Sequence, residues 1–289
     1  MKKIIVSIFS LLLVNSVFSQ QEIKLYPNGV SESNEIKVAE SAQRTDFIIN
    51  ISEPRMYFYP APKDKANGTA VLICPGGGYS GVSVINEGKL VAEMLNESGI
   101  SAFVLYYRMP NGHTTIPLTD AQTALQIIFK HSKNWNIDKT KIGIMGFSAG
   151  GHLASTVGTH FKTKIQRPAF MILGYPVVTM QSELTHKGSR NNLLGNNPNE
   201  ALVGEYSNEL QVRKNTPPTF IFHASDDKAV SIKNSIHLYQ ALKREKIVCE
   251  LDTFAVGGHG FGMKKTGIPA DKWPELLIEW LKTNKFIKR

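Results

Sequence analysis

Four short segments carry residues whose types and order could do chemistry together: a serine between glycines, a run of three glycines, two adjacent aspartates, and a histidine among glycines. The first, Gly146-Phe147-Ser148-Ala149-Gly150, is a G-x-S-x-G motif directly after the apolar run Ile142 to Phe147 and directly before a segment that reads as a helix from Ala149. A serine on such a strand-to-helix turn is held in a strained conformation with its Oγ exposed, and the residues two before and two after it must be small. A Gly-rich turn with no chemistry is the bland reading, and the strand and helix on either side favour a nucleophile. The helix that starts there also aims its N-terminal amides at developing negative charge.

A serine hydroxyl attacks a carbonyl only when a base takes its proton and an acid orients that base. The chain order expected of such a turn is serine, acid, histidine, with the acid after a late strand and the histidine after the last one. Gly257-Gly258-His259-Gly260-Phe261-Gly262 fills the last place. Of the eight histidines His259 alone has this placement; His113, His131, His160, His186 and His237 read as surface or helix residues and His152 as a helix residue packed behind the turn. The acid place holds two carboxylates, Asp226 and Asp227, and either could instead be a turn residue bonded to its own backbone. In Cys74-Pro75-Gly76-Gly77-Gly78-Tyr79, consecutive glycines allow backbone N–H groups to point inward. Gly77 or Gly78, with the N–H of Ala149, would then stabilise an oxyanion by about 3 to 4 kcal/mol per donor, with Tyr79 as a further contributor. A phosphate-binding loop would need G-x-G-x-x-G or a closing G-K-S/T, and the segment has neither.

The elements that position these groups alternate. Strand-like runs Thr69 to Cys74, Ser101 to Tyr107, Ile142 to Phe147, Phe170 to Tyr175, Thr219 to His223 and Val248 to Phe254 are interleaved with helical stretches near Lys89 to Glu97, from Asp120 to about Asn134, from Ala149, from Ser235 to Glu245 and from Pro274 to Thr283. This rhythm predicts an α/β fold, a mostly parallel, doubly wound sheet flanked by helices. Phe47 to Ile51 and Met56 to Tyr59, separated by Ser52-Glu53-Pro54, read as a leading antiparallel hairpin, and Asp120 reads as a helix cap. From Pro176 to Pro217 the rhythm breaks into a segment rich in Asn, Gly and Ser, too long for an ordinary connection, which reads as a long lid or binding loop expected to wall one side of the site.

Composition narrows the class further. With 289 residues, 42% hydrophobic and 20% charged, the chain has material for one large core, and no linker or repeat divides it. Lys2 and Lys3, the apolar run Ile4 to Phe18 and the small residue Ser19 read as a signal peptide over residues 1–19, followed by one catalytic domain from 20 to 289 and a secreted or periplasmic address. That run is too short and too rich in Ser and Asn for a membrane span. Removing Lys2 and Lys3 leaves 31 of 33 basic residues against 24 acidic ones, scattered without a dense run, so nucleic-acid binding is not expected. Cys74 and Cys249 each sit in an apolar run and are expected to be buried thiols without a disulfide. No paired His/Asp ligand pattern points to zinc, and the serine chemistry needs no cofactor. Nothing in the pattern sets an oligomeric state.

These segments, with Tyr106-Tyr107-Arg108, Pro117-Leu118-Thr119-Asp120-Ala121 and Asn192-Leu193-Leu194-Gly195, resemble the α/β-hydrolase superfamily, and within it the bacterial carbohydrate-esterase-like group of acetylxylan and feruloyl esterase relatives. The similarity runs from about Leu25 to Phe261. It implies an α/β-hydrolase fold and hydrolysis of short-chain, acetyl-type esters of carbohydrates such as acetylated xylan, with a small-molecule or polysaccharide ester as the partner. It also implies the choice between the aspartates, because the family pattern H-G-x-x-D-x-x-V falls on His223, Asp227 and Val230, with Ala224 in place of the usual Gly. Pro75 stands where many relatives carry the His of H-G-G-G. Rival expectations are a general carboxylesterase or peptidase on the same scaffold, and an inactive carbohydrate-binding module, which would lack a triad member.

Overall fold

The structure, a computed structural model, describes residues 20–288. The expected leader, residues 1–19, lies outside the described residues. In chain order the first elements are strands β1 (Gln21–Lys24), β2 (Ser41–Arg44), β3 (Phe47–Ile49), β4 (Arg55–Tyr59), β5 (Ala70–Cys74) and β6 (Gly81–Ser83). Helix α1 (Leu90–Glu97), β7 (Ser101–Tyr106), α2 (Thr115–His131), β8 (Ile142–Phe147), α3 (Ser148–His160) and β9 (Met171–Gly174) follow. Then come α4 (Lys187–Leu194), α5 (Glu200–Glu205), β10 (Thr219–Ala224), α6 (Lys233–Arg244), β11 (Cys249–Phe254) and α7 (Trp273–Thr283).

Eight strands form one sheet in the order β1-β4-β7-β5-β8-β9-β10-β11. From β7 to β11 neighbours are parallel, while β4 runs antiparallel to both β7 and β1. The central strands bury both faces, so they are apolar without interruption, as Ala70-Val71-Leu72-Ile73-Cys74 illustrates. Their side chains alternate between two cores. Leu72, Phe103, Ile144 and Leu173 pack with residues of α2, α3 and α6, whereas Ile73, Val104, Phe147 and Phe222 pack with residues of α1 and α7. On the second face the Trp273 ring stacks on Phe222 with centroids 4.6 Å apart. Each such large side chain stabilises the fold by about 1.5 to 3 kcal/mol through burial.

The topology places the site. From β5 the chain winds to β7 on one side, then crosses back over β5 to β8 on the other. A ligand crevice in such a sheet lies outside the carboxyl ends of the strands at this reversal. The carboxyl ends of β5 and β8, where Cys74 pairs with Gly146, carry the glycine run and Ser148.

Four expectations are corrected. The two leading apolar runs are no hairpin: β4 joins the large sheet, but β3 pairs with β2 and β6 in a separate three-stranded sheet. Asn50, with φ at 60°, turns the chain between them, and Ile51 is buried in the core. Helix α2 starts at Thr115, ahead of Asp120, because Pro117 falls in the first turn, where a missing N–H costs nothing. Asp120 is therefore no cap: it is fully buried and pairs with Arg108, whose Nη2 lies 2.6 Å away and whose backbone N–H donates at 3.0 Å. The segment from Pro176 to Pro217 is not a bare loop, since it folds into α4 and α5. Cys74 is buried as expected, but Cys249, on the edge strand β11, is only half-buried; both are free thiols.

Candidate active site

Ser148 opens α3 with φ at 51°, a left-handed conformation that a serine adopts only under constraint from its surroundings. The two motif glycines show the constraint. A Cβ on Gly146 would lie 2.0 Å from the carbonyl oxygen of Gly150, and one on Gly150 would lie 2.0 Å from that of Cys74. The elbow is thus wedged between its own helix and the end of β5.

His259 reaches the serine from the far end of the sheet. Its Nε2 accepts the Ser148 hydroxyl at 2.9 Å, and its Nδ1–H donates to Asp227 Oδ2 at 2.6 Å. The loop that carries it turns through Gly258 and Gly260, with φ at 63° and 72°. Asp226 holds that loop: its Oδ1 accepts the N–H groups of Gly257 at 2.9 Å and Gly258 at 2.7 Å. The geometry therefore separates the two aspartates, one against the imidazole and the other against the backbone behind it.

Asp227 is enclosed by donors. Oδ1 accepts the N–H groups of Ala229 and Val230, each at 2.9 Å, and Oδ2 also takes the Nε2–H of buried His223 at 3.2 Å. His223 is oriented by the Ser235 hydroxyl, which donates to its Nδ1 at 2.7 Å. Burial opposes ionisation of Asp227, but the bonds from His223 and His259, the charge of His259 and the Val230 amide outweigh it and hold the carboxyl well below the usual range.

The glycine run lies opposite. Gly77 and Gly78 have φ at 150° and 64°. Their carbonyls are engaged by Ser80 N–H at 3.0 Å and by the Asn192 side-chain amide at 2.8 Å, while neither N–H has a protein acceptor among the described residues. Ala149 N–H is one of the unsatisfied donors of the first helical turn, and Phe147 before it offers no side-chain cap. The N–H of Gly76, by contrast, is taken by Glu87 Oε2 at 2.7 Å. Tyr79 points away from this site: its hydroxyl donates to Nδ1 of buried His152 at 2.8 Å, and His152 Nε2–H donates to the Tyr206 carbonyl at 2.8 Å. That pair braces the loop from behind, which corrects the expectation that Tyr79 contributes directly.

Gly77, Gly78, Ser148 and His259 line a cavity of about 600 Å³, together with His186, Arg44, Asp46 and Lys264. The sequence had placed His186 only as a surface or helix residue. It caps α4, with Nδ1 accepting Ser189 N–H at 3.2 Å, and its segment, already expected to wall the site, was the available signal. Glu87 had no such signal, because nothing in Ile85-Asn86-Glu87-Gly88 distinguishes it from a solvated carboxylate. Among the described residues no group of three His, Cys, Asp or Glu side chains could hold a metal, and no helix is long and apolar enough to cross a membrane.

The chain matches the BD-FAE family model over residues 56–242. It is 37% identical over 268 residues to an acetylxylan esterase of Xylanibacter ruminicola, covering 90% of this chain and 55% of that protein. It is 35% identical to endo-1,4-beta-xylanase B of Butyrivibrio fibrisolvens, over 72% of this chain and 34% of that one. The chain thus spans about half or less of the length of these relatives. Among solved structures, the acetyl ester-xyloside bifunctional hydrolase of Caldicellulosiruptor lactoaceticus superposes with a TM-score of 0.79 at 36% identity, covering 92% of this chain and 97% of that one. With the strand order, the elbow and these similarities together, the chain belongs to the BD-FAE family and has the α/β-hydrolase fold.

Proposed function

We propose that the protein is a secreted serine esterase that removes short acyl groups of the acetyl type from carbohydrates such as acetylated xylan. The observation that carries this reading is the relay from Ser148 Oγ through His259 to Asp227, at 2.9 and 2.6 Å, facing unpaired amides across one cavity. Ser148 attacks the ester carbonyl while His259 takes its proton, and the amides of Ala149 and of Gly77 or Gly78 stabilise the oxyanion. His259 then protonates the departing sugar alcohol, and water, activated by the same imidazole, releases the acid. Asp227 stays ionised throughout, fixes the tautomer with Nδ1–H and stabilises the imidazolium. A cavity lined by Arg44, Asp46, His186 and Lys264 suits a hydroxyl-rich substrate better than a long acyl chain. The names of the acetylxylan esterase and the acetyl ester-xyloside hydrolase point the same way.

The test is acetate release from acetylated xylan and from an aryl acetate by the chain from Gln20 onward, beside its Ser148→Ala variant. Release from both substrates, abolished in the variant, is the expected result. Activity on the aryl ester alone would replace the carbohydrate substrate with that of a general carboxylesterase. Inactivity on both would sink the esterase reading in favour of a peptidase or a binding module.

A further inference from the structure

We propose that Glu87 is a positioning residue which ties the glycine loop and the histidine loop to a single buried carboxylate. This inference rests on the esterase reading of the site. Glu87 is 5% exposed and belongs to a π-helical turn, Ile85–Lys89, that sits between the two loops. Its Oε2 accepts the N–H of Gly76 at 2.7 Å, which holds the residue just ahead of the Gly77 and Gly78 amides. Its Oε1 accepts the Tyr175 hydroxyl at 2.7 Å. That hydroxyl in turn accepts the N–H of Gly262 at 3.0 Å, and the Tyr175 ring packs edge-on against His259 with centroids 5.0 Å apart. The adjacent Asn86 grips the same histidine loop, donating to the Gly260 carbonyl at 3.1 Å and accepting Met263 N–H at 3.0 Å.

The chemistry of the link demands a carboxylate. The Gly76 N–H can only donate, and the Tyr175 hydroxyl, which already accepts Gly262 N–H, turns its own proton to Glu87, so the side chain presents an acceptor at each end. A glutamine of the same size supplies one acceptor and sets its NH₂ against the other donor. Burial makes each of these bonds strong and makes a mismatch costly. The buried carboxylate thereby joins the two loops that must converge on one reacting carbonyl.

Glu87→Gln, Tyr175→Phe and the double variant distinguish these roles. Two rates are measured per folded site: turnover of an aryl acetate, and labelling of Ser148 by a fluorophosphonate, which needs the serine, its base and the amides but no ester. The expected result is a fall in kcat of about tenfold or more with KM within about twofold. Labelling slows by a similar factor, and the double variant is no slower than the worse single one. Wild-type kcat and labelling rates in Glu87→Gln, or losses that multiply in the double variant, would overturn the link. If Glu87→Gln does not fold, Tyr175→Phe decides, because it removes only the hydroxyl. A wild-type chain that labels but turns over no ester would fail the esterase reading, and the labelling rates would still judge Glu87.

Discussion

Asp226 and Asp227 are neighbours in the chain whose carboxylates serve opposite sides of the same histidine: Asp227 Oδ2 meets His259 Nδ1 at 2.6 Å, while Asp226 Oδ1 meets the Gly257 and Gly258 amides at 2.9 and 2.7 Å. Replacing them separately should therefore give unequal losses. Asp227→Asn is expected to lower kcat by about ten-thousand-fold, since it favours the wrong imidazole tautomer. Asp226→Ala loses only loop anchorage and should cost about tenfold. Steady-state rates on an aryl acetate check both, and equal losses would return the two aspartates to the ambiguity they have in the sequence.

The elbow tolerates no added carbon. Gly150→Ala puts a methyl group where the carbonyl oxygens of Cys74 and Pro75 lie 2.0 and 2.4 Å away. Because both obstacles are backbone, the turn must shift. We expect a loss of about 2 to 3 kcal/mol in urea unfolding and more than a hundredfold in kcat. Gly204→Ala, in the same assays, should be nearly neutral, since a Cβ there meets nothing within 4 Å.

Acid should loosen the support behind the glycine loop. Burial lowers the pKa of His152 from 6.5 to about 4 despite the bond to the Tyr206 carbonyl. The unfolded chain therefore binds a proton that the folded chain refuses between these two values, so stability is fully present above about pH 6.5 and declines as pH falls toward 4. Between pH 7 and pH 5 this group alone accounts for about 2 kcal/mol. Urea midpoints of the wild type and His152→Gln at the two pH values measure it, and an equal pH response in both would remove His152 as the cause.

Arg108 and Asp120 form a pair 2% and 0% exposed, with the guanidinium also over the Tyr26 ring at 5.4 Å. Arg108→Met leaves the Asp120 carboxylate buried without a counter-charge and should destabilise the protein by about 3 to 5 kcal/mol. The double variant Arg108→Met, Asp120→Leu removes both charges and should recover most of that loss. A single variant as stable as the wild type in urea would show the pair to be dispensable.

The chemistry was most legible where it is local. The elbow was readable because strand, turn and helix follow one another within Ile142 to His152, and the close contact that demands glycine at 146 lies within that same turn, whereas the one at 150 comes from the end of β5. The alternation of strands and helices, and with it the parallel sheet, was readable because buried central strands must be apolar throughout. Misreadings came where short segments lacked such a pattern. β3 and β4 look alike as apolar runs, yet membership of one sheet or the other depends on β2 and β6, which have little signature of their own. Asp120 in the middle of a helix is sensible only once Arg108 is opposite it.

By itself, then, the sequence determined the class of fold, the serine on its turn, the glycine run and the order of serine, acid and histidine. The family pattern had already favoured Asp227; tertiary structure decided what Asp226 holds beside it, that Tyr79 turns away, and that His186 and Glu87 line or support the same cavity. The physical reason is the range of the bonds involved. Ser148 and His259 are 111 positions apart, and Glu87 and Tyr175 are 88 apart, so a polar side chain shows its purpose only when folding supplies the partner. A buried donor or acceptor must be satisfied, but the residue type alone does not say by whom.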